Sequence, residues 1–388
     1  MRLQKVWISE YKNLKNFTLD FDGNSFIDVF VGKNGTGKSN LFEALIEIFR
    51  HLYEFDKDKN SISFKYSISY DLNNKRVSIE WQEGKLLIDG EERKTANKSF
   101  LPDNVLVYYS GHNDTISNLV KTYQEKFSKR IKKADFDESR RFIGIGSEYK
   151  GLLLTIMLMQ KEDCKACRYI CQKLEIKPET PTIKISLKRP IFAKKKELID
   201  DFEPKTHFWG TEGITKQFLD RLLKCIKGEF KHTDIYTHNR DAYSFEINTS
   251  LYRTTIAADT DITEQFSDGQ FQAIYIYSIV EIFKERNCIT LLDELDAFLH
   301  PEWQYDFLKQ VFEITDTASK SNHILMSSHS AVTLIPHDRK KIKFFDIKDN
   351  YVNCYDLPKH IAINKLSADI IHYSEHEQLC KHYQYNPN

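Results

Sequence analysis

The sequence predicts an α/β fold in which helices flank a mainly parallel sheet, with a long insertion dividing the chain. Three observations point there. Apolar, β-branched runs alternate with amphipathic helical patterns at both ends of the 388 residues. A glycine-rich turn, Gly32 to Ser39, joins one such run to one such helix. Between Ser61 and Asp89 the hydrophobic period switches to two, the pattern of an antiparallel lobe with one solvated face.

Taken in order, Leu3 to Ser9 reads as a first strand and Phe17 to Phe21 alternates behind it. Phe26 to Val31 (FIDVFV) is short, apolar and β-branched, as a strand buried on both faces should be. Ser39 to Tyr53 then places Leu41, Phe42, Leu45, Ile48 and Phe49 on one helical face. The runs SISFKYSISYD, KRVSIEW and KLLID form a meander, with Asn73-Asn74 and Glu83-Gly84 as its hairpin turns. Asn104 to Tyr109 (NVLVYY) is another buried strand. In the middle, Thr115 to Lys133 is a polar, lysine-rich helical pattern, and Tyr149 to Gln160 a more apolar one that Cys164 to Leu174 continues. Thr182 to Lys188 reads as a strand and Ile214 to Ile226 as an amphipathic helix. From about Thr263 come a loop, a helix Gln270 to Lys284, a buried strand Ile289 to Leu292, and a helix Pro301 to Thr315 whose proline suits the first turn. The strand His323 to Ser327 and a hairpin of Lys341–Ile347 with Tyr351–Tyr355 close the chain. The expected division is residues 1–112, a mixed but mainly helical insertion 113–255, and residues 256–388.

Composition excludes several classes. Lys+Arg and Asp+Glu each total 56, so the chain is neither a globally basic nucleic-acid-coating protein nor an acidic tail. With 41% hydrophobic residues it can bury a sizeable core. The longest apolar stretch, Gly151 to Met159, falls far short of the roughly 20 residues that cross a bilayer, so no membrane association is expected. The first residues carry charge at once and lack an apolar core, so no secretory signal is expected. Seven cysteines then read as thiols in a reducing cytoplasm, not as a disulfide framework.

The chemistry begins at Gly32-Lys33-Asn34-Gly35-Thr36-Gly37-Lys38-Ser39, which fits G-x-x-x-x-G-K-[ST] in full, between a buried strand and an amphipathic helix. Gly32, Gly35 and Gly37 let the backbone wrap a phosphate chain, so that N–H groups and the helix N-terminus face the anion. Lys38 is placed to reach the β- and γ-phosphates of ATP, and the Ser39 hydroxyl to ligate Mg²⁺. At the other end of the chain an apolar strand runs into Asp293-Glu294. Asp293 is thereby delivered to the Mg²⁺ shell, and Glu294, one residue on, can orient and deprotonate an attacking water.

Neighbouring motifs extend this pair of signals. Phe266-Ser267-Asp268-Gly269-Gln270, opening a helix, resembles the LSGGQ signature of ABC-type ATPases. Asp293-Glu294-Leu295-Asp296 with Leu299-His300-Pro301 looks like their Walker B and D-loop segment, and Ser327-Ser328-His329-Ser330 like their switch-histidine segment. The resemblance covers roughly residues 1–110 and 260–360. It implies a P-loop NTPase fold of the ABC-type head, with an antiparallel β lobe and a mainly helical insertion. It also implies a nucleotide sandwich, in which two heads associate head to tail around ATP. In that arrangement Ser267, Gly269 and the helix start at Gln270 contact the γ-phosphate in trans, and His329 reads it in cis. Asp268 departs from the usual glycine, and a carboxylate there should face away from phosphate or weaken closure.

Within that group, Ile8 to Phe17 (ISEYKNLKNF) resembles the opening strand and turn of SMC, RecF and OLD-family ATPases. Their G-x-N-G-x-G-K-S-N form of the phosphate loop matches Gly32 to Asn40, and D-E-x-D-x-x-L-H-P matches 293–301. The residues after His329 are too few for the Toprim nuclease domain of OLD proteins. A stand-alone ATPase is therefore expected, forming a homodimer or higher homo-oligomer and switching a separately encoded effector, a nuclease among the candidates, in antiviral defence. Three alternatives stay open: a RecF-type repair ATPase acting directly on DNA, a nucleotide-gated binding module with little turnover, and a soluble transporter head. The distance from Lys38 to Ser267 exceeds that in transporter heads and disfavours the last.

Weaker signals carry less. Cys164, Cys167 and Cys171 share a helix face, but three thiols fall short of the four ligands of a structural zinc site and read as small apolar packing residues. Lys126, Lys129, Arg130, Lys132 and Lys133 form a basic run that is a solvated helix face or a nucleic-acid contact. Tyr108, Tyr109 and His112 lie where a Q-loop could fall, with no glutamine to mark it.

Overall fold

A computed structural model describes residues 1–23, 25–55, 62–109, 141–145, 164–176, 182–188, 244–250, 267–283, 286–294, 299–315, 322–335 and 341–367, with scattered residues between 115 and 157. In chain order these form β1 (Arg2–Tyr11), β2 (Leu14–Asp20), β3 (Ile27–Gly32), α1 (Lys38–Glu54), β4 (Tyr66–Leu72), β5 (Lys75–Gln82), β6 (Lys85–Ile88), β7 (Glu91–Arg93) and β8 (Asn104–Tyr109). β9 (Phe142–Ile145), α2 (Lys165–Lys173), β10 (Thr182–Lys188), β11 (Ser244–Ser250) and α3 (Asp268–Phe283) follow. The last third holds β12 (Cys288–Asp293), α4 (Pro301–Thr315), β13 (His323–Ser328), α5 (Ala331–Leu334), β14 (Lys341–Lys348), β15 (Tyr351–Pro358) and α6 (Lys359–Leu366). The fold is α/β, that of a P-loop NTPase. The chain divides into two compact units, one of residues 1–116, 286–312 and 319–388, the other of residues 117–285 and 313–318.

The first unit contains two sheets. An antiparallel one runs β2-β1-β4-β5-β6-β7, and its alternation of buried and partly exposed residues matches the period of two. Both predicted hairpin turns form, with Asn73, Asn74 and Glu83 at positive φ. The other sheet runs β15-β14-β3-β13-β12-β8, with β14, β3, β13, β12 and β8 parallel and β15 antiparallel at the edge. Every residue of β3, β12 and β13 is buried, which is why these strands read as unbroken apolar runs. α1 lays Leu41, Phe42, Leu45, Ile48 and Phe49 into the core, each fully buried side chain contributing roughly 1.5–3 kcal/mol. The Phe30 ring joins the layers, 6.0 Å from Phe42 and 5.5 Å from Phe345.

A buried polar cluster ties the two sheets together at the start of β13. The Leu3 N–H donates to His323 Nδ1 (3.0 Å), so the ring proton sits on Nε2 and is donated to Asp28 Oδ2 (2.9 Å). Burial pushes the His323 pKa below its ordinary value.

In the second unit β10 and β11 pair antiparallel, from Thr182 opposite Ser250 to Lys188 opposite Ser244. α2 packs on α3, with the Tyr169 and Tyr277 rings 5.9 Å apart. α3 is apolar nearly all round, as a buried helix must be. The predicted helix over 214–226 and the basic run over 126–133 lie outside the described residues.

Candidate active site at the ends of three parallel strands

β13 lies between β3 and β12, and the register sets their C-terminal ends side by side: Ser327 opposite Phe30, Ser328 opposite Val31, Leu292 opposite Met326. Open α/β sheets bind their ligands at such strand ends. Here the ends deliver the Gly32–Ser39 loop, Asp293-Glu294 and Ser327 to His329.

The loop is shaped by what cannot fit beside it. A Cβ on Gly32 would come within 2.5 Å of the Phe345 carbonyl oxygen and 2.9 Å of Thr36 Oγ1. Gly37 is the N-cap of α1 at φ 97, and a Cβ there would meet Asn13 Oδ1 at 3.0 Å. Neither a capping side chain nor an acidic residue occupies the first turn of α1, which suits an anionic guest at the helix N-terminus. Lys38 is 3% exposed, and its ammonium donates to the carbonyls of Gly32 (2.8 Å) and Lys33 (3.0 Å). Asn34 and Gly35 are exposed at the tip.

The turn between β1 and β2 clamps the loop from outside. Asn13 Nδ2 donates to the Gly35 carbonyl (3.0 Å), and Asn13 Oδ1 accepts from Asn40 Nδ2 (2.7 Å). Beside it, Lys12 pairs with the buried carboxylate of Glu43, which also accepts from the Tyr11 hydroxyl (3.2 Å). Asn13 lies within the ISEYKNLKNF stretch, but nothing in that resemblance gave its side chain a role at the loop.

Across β13, Ser39 Oγ donates to Asp293 Oδ1 (3.2 Å), joining residues 254 positions apart. These are hard oxygen donors one residue beyond the loop lysine and at a strand end, the donor chemistry that Mg²⁺ requires. Ser327 Oγ donates to the same Asp293 oxygen (2.6 Å) and accepts from the Glu294 backbone N–H (2.8 Å). Glu294 itself stands at φ 50, leaving the strand direction, and its Oε1 lies 3.3 Å from His329 Nε2. Both side chains are about one-third exposed, at 35% and 31%. The Ser330 hydroxyl then links this corner to α4. It accepts from the Val332 N–H and donates to Gln304 Oε1 (2.7 Å), while Gln304 Nε2 holds the Leu299 carbonyl (3.0 Å). Residues 295–298 lie outside the described set.

Ser267 and Gln270 belong to the second unit. They make a reciprocal cap at the start of α3: Gln270 Oε1 accepts from the Ser267 N–H (2.9 Å), and Ser267 Oγ accepts from the Gln270 N–H (3.4 Å). The S-x-x-Q spacing therefore has a structural use besides its likeness to the signature. Gly269 is half-buried in the first turn of the same helix. The Asp268 side chain and His112 lie outside the described residues.

A family described as the AAA ATPase domain matches residues 1–333. The chain belongs to this family. Among individual relatives of this AAA-family chain, "Retron Vc95 probable ATPase" of Vibrio cholerae serotype O1 biovar El Tor is 21% identical over 405 residues, covering 90% of this chain and 74% of the relative. The DNA replication and repair protein RecF of Lactobacillus acidophilus is 30% identical over 108 residues, 25% of this chain and 28% of RecF. Similar solved structures include the recombination mediator RecF with ATP (17% identity, TM-score 0.41, 91% and 97% of the two chains). Another is the SMC head domain from Thermotoga maritima (11%, TM-score 0.44, 92% and 99%). With scores below 0.5, the fold assignment rests on the chain's own strand order and on the family match. The chain is thus an ATPase domain of the AAA family, and a domain of that family binds ATP.

Among the described residues no helix is long and apolar enough to cross a membrane, and no group of three or more His, Cys, Asp or Glu side chains could hold a metal ion. On α2, Cys167 and Cys171 bring their sulfurs to 4.0 Å. Their mutual hydrogen bond holds the Cys171 pKa down and pushes that of Cys167 up.

Proposed function

We propose that this AAA-family chain hydrolyses ATP with Mg²⁺ and that two copies associate head to tail around the nucleotide. One observation carries the reading: Ser39, Asp293, Glu294, Ser327 and His329 form a continuous hydrogen-bonded chain at the mouth of the phosphate loop. The loop N–H groups, with Gly32, Gly35, Gly37 and Asn34, cradle the phosphates. Lys38 exchanges its two carbonyl partners for the β- and γ-phosphate oxygens. Ser39 and Asp293 hold Mg²⁺, which when bound supplies charge neutralisation on those phosphates. Glu294 takes the proton of the attacking water, and His329, in contact with that carboxylate, reads the γ-phosphate. Asn40 steadies the loop through Asn13.

Ser267, Gly269 and Gln270 complete the site of the opposite copy in trans. Their cap then opens one hydroxyl to the γ-phosphate, so closure is coupled to the start of α3. Mg²⁺-dependent release of phosphate from ATP by the purified chain tests this reading. Complete absence of turnover with Mg²⁺ present, by a chain that still binds ATP, would leave a nucleotide-gated binding module instead.

The proposed biological role builds on that closure. ATP-driven closure switches a separately encoded effector in antiviral defence, and residues 113–255 form the recognition surface. The likeness to an ATPase named for a retron supports this role. The stretch similar to RecF favours a second reading, direct action on DNA in repair. Copurification with a partner protein, compared with DNA binding by the chain alone, separates the two.

A further inference from the structure

We infer that Ser327 is a positioning residue for the reaction, one hydroxyl that sets the metal-binding carboxylate and the water-activating glutamate together. The inference rests on the ATPase reading above and deepens it. Ser327 lies on β13, the strand between the one that ends in the phosphate loop and the one that ends in Asp293. It is 1% exposed, and both of its bonds run to the neighbouring acidic pair.

The polarity of those bonds is fixed. A backbone N–H can only donate, so the Glu294 N–H must fill a lone pair of the Ser327 oxygen. The single hydroxyl proton then goes to Asp293 Oδ1, at 2.6 Å, the shorter of the two hydroxyl bonds that this oxygen receives. Two consequences follow. The Asp293 carboxylate is held in one rotation, with Oδ1 shared between Ser39 and Ser327. The Glu294 backbone is held at φ 50, an uncommon conformation for a non-glycine residue, and that turn aims its side chain at His329 instead of along the strand. Ser327 touches neither nucleotide nor water in this scheme; it acts through the two acids. The sequence signal was present but unassigned: a serine at the end of HILMSS, where an apolar residue would satisfy packing alone.

Ser327→Ala removes both bonds with little change of volume, and Ser327→Thr keeps the hydroxyl. Outer-layer partners of this kind typically change metal affinity or activity about 10- to 100-fold. For Ser327→Ala we expect kcat lower by that factor, the gain in ATP affinity on adding Mg²⁺ reduced about tenfold with KM for MgATP rising in step, and ATP affinity in chelator unchanged. Nucleotide affinity is read by calorimetry with Mg²⁺ and with chelator, a readout that needs no turnover. Ser327→Thr should recover most of both quantities. The proposal is overturned if Ser327→Ala keeps wild-type kcat and Mg²⁺-linked affinity, or if Ser327→Thr is as impaired as Ser327→Ala, which would make the site one of packing. If the unsubstituted chain itself shows no turnover, the ATPase reading fails separately. The Mg²⁺-linked affinity difference between it and Ser327→Ala still decides the role of Ser327.

Discussion

Replacing Glu294 by glutamine keeps the side chain's size and removes its negative charge. The backbone contributes nothing to the difference, because the N–H bond to Ser327 at 2.8 Å and the φ of 50 do not depend on the carboxylate. The amide can still meet His329 Nε2 at the present 3.3 Å, so the corner need not rearrange. What disappears is the group that accepts the water proton. General-base catalysis contributes about 10²- to 10⁴-fold. At about 1.36 kcal/mol per decade, that is roughly 3–5 kcal/mol of transition-state stabilisation. ATP affinity should change less than about threefold, since Lys38 and the loop backbone lie outside the substitution. The assay is steady-state phosphate release at saturating MgATP, with equilibrium nucleotide binding measured in parallel. The variant should also accumulate as a closed dimer with ATP, because the closing contacts persist while hydrolysis stops. Turnover within about fivefold of the unsubstituted chain would remove Glu294 from its assigned role.

Lys38→Ala should lower ATP affinity about 10- to 100-fold by calorimetry, because charge-assisted bonds to the phosphates are worth about 1.5–3 kcal/mol each; unchanged affinity would refute the loop assignment. Ser267→Arg removes the α3 cap and should cost about 1 kcal/mol in thermal unfolding while sparing ATP binding and abolishing hydrolysis; intact turnover by a monomer would refute the trans contact. His323 is held neutral by burial, so as the pH falls the unfolded chain takes up the proton before the folded one does. Stability should therefore be full above about pH 6.5 and fall by up to about 1.4 kcal/mol per pH unit below it. His323→Gln can retain both an acceptor for Leu3 and a donor for Asp28, and should flatten that decline in chemical denaturation; an equally steep decline would assign it to other groups.

The legible parts of this chain are those where one physical constraint dominates. β3, β12 and β13 are buried on both faces, so their sequences could only be apolar, and their ends fell within a residue or so of the predicted ones. The Gly32–Ser39 loop was legible because glycines are needed where the Phe345 carbonyl and Asn13 approach the backbone. β9 and β11 were not read: FIGI has only four residues, and SFEINTS carries just two large apolar side chains. α6 was missed because Pro358 ends one strand and opens a helix with no break in composition. The site's first ligands were visible in their motifs, whereas Ser327 and Asn13 lay inside motif-like stretches with no role of their own, and Gln304 in none. Their importance comes from partners up to tens of residues away, which no local spacing encodes. The S-x-x-Q cap is legible in sequence as well, but the same residues also spell the signature-like segment, so the spacing alone does not separate the two uses.

The head-to-tail sandwich is tested most directly by mixing two inactive variants. Lys38→Ala lacks a working phosphate loop and keeps its signature; Ser267→Arg has the reverse defect. In a mixed dimer one site combines both defects and the other combines neither. Random pairing of equal amounts should therefore restore about a quarter of the unsubstituted sites. Shared sites should give phosphate release from the mixture well above the sum of the two separate variants, rising with protein concentration. A mixture no more active than that sum, while each variant remains folded, would contradict shared sites and with them the proposed mechanism.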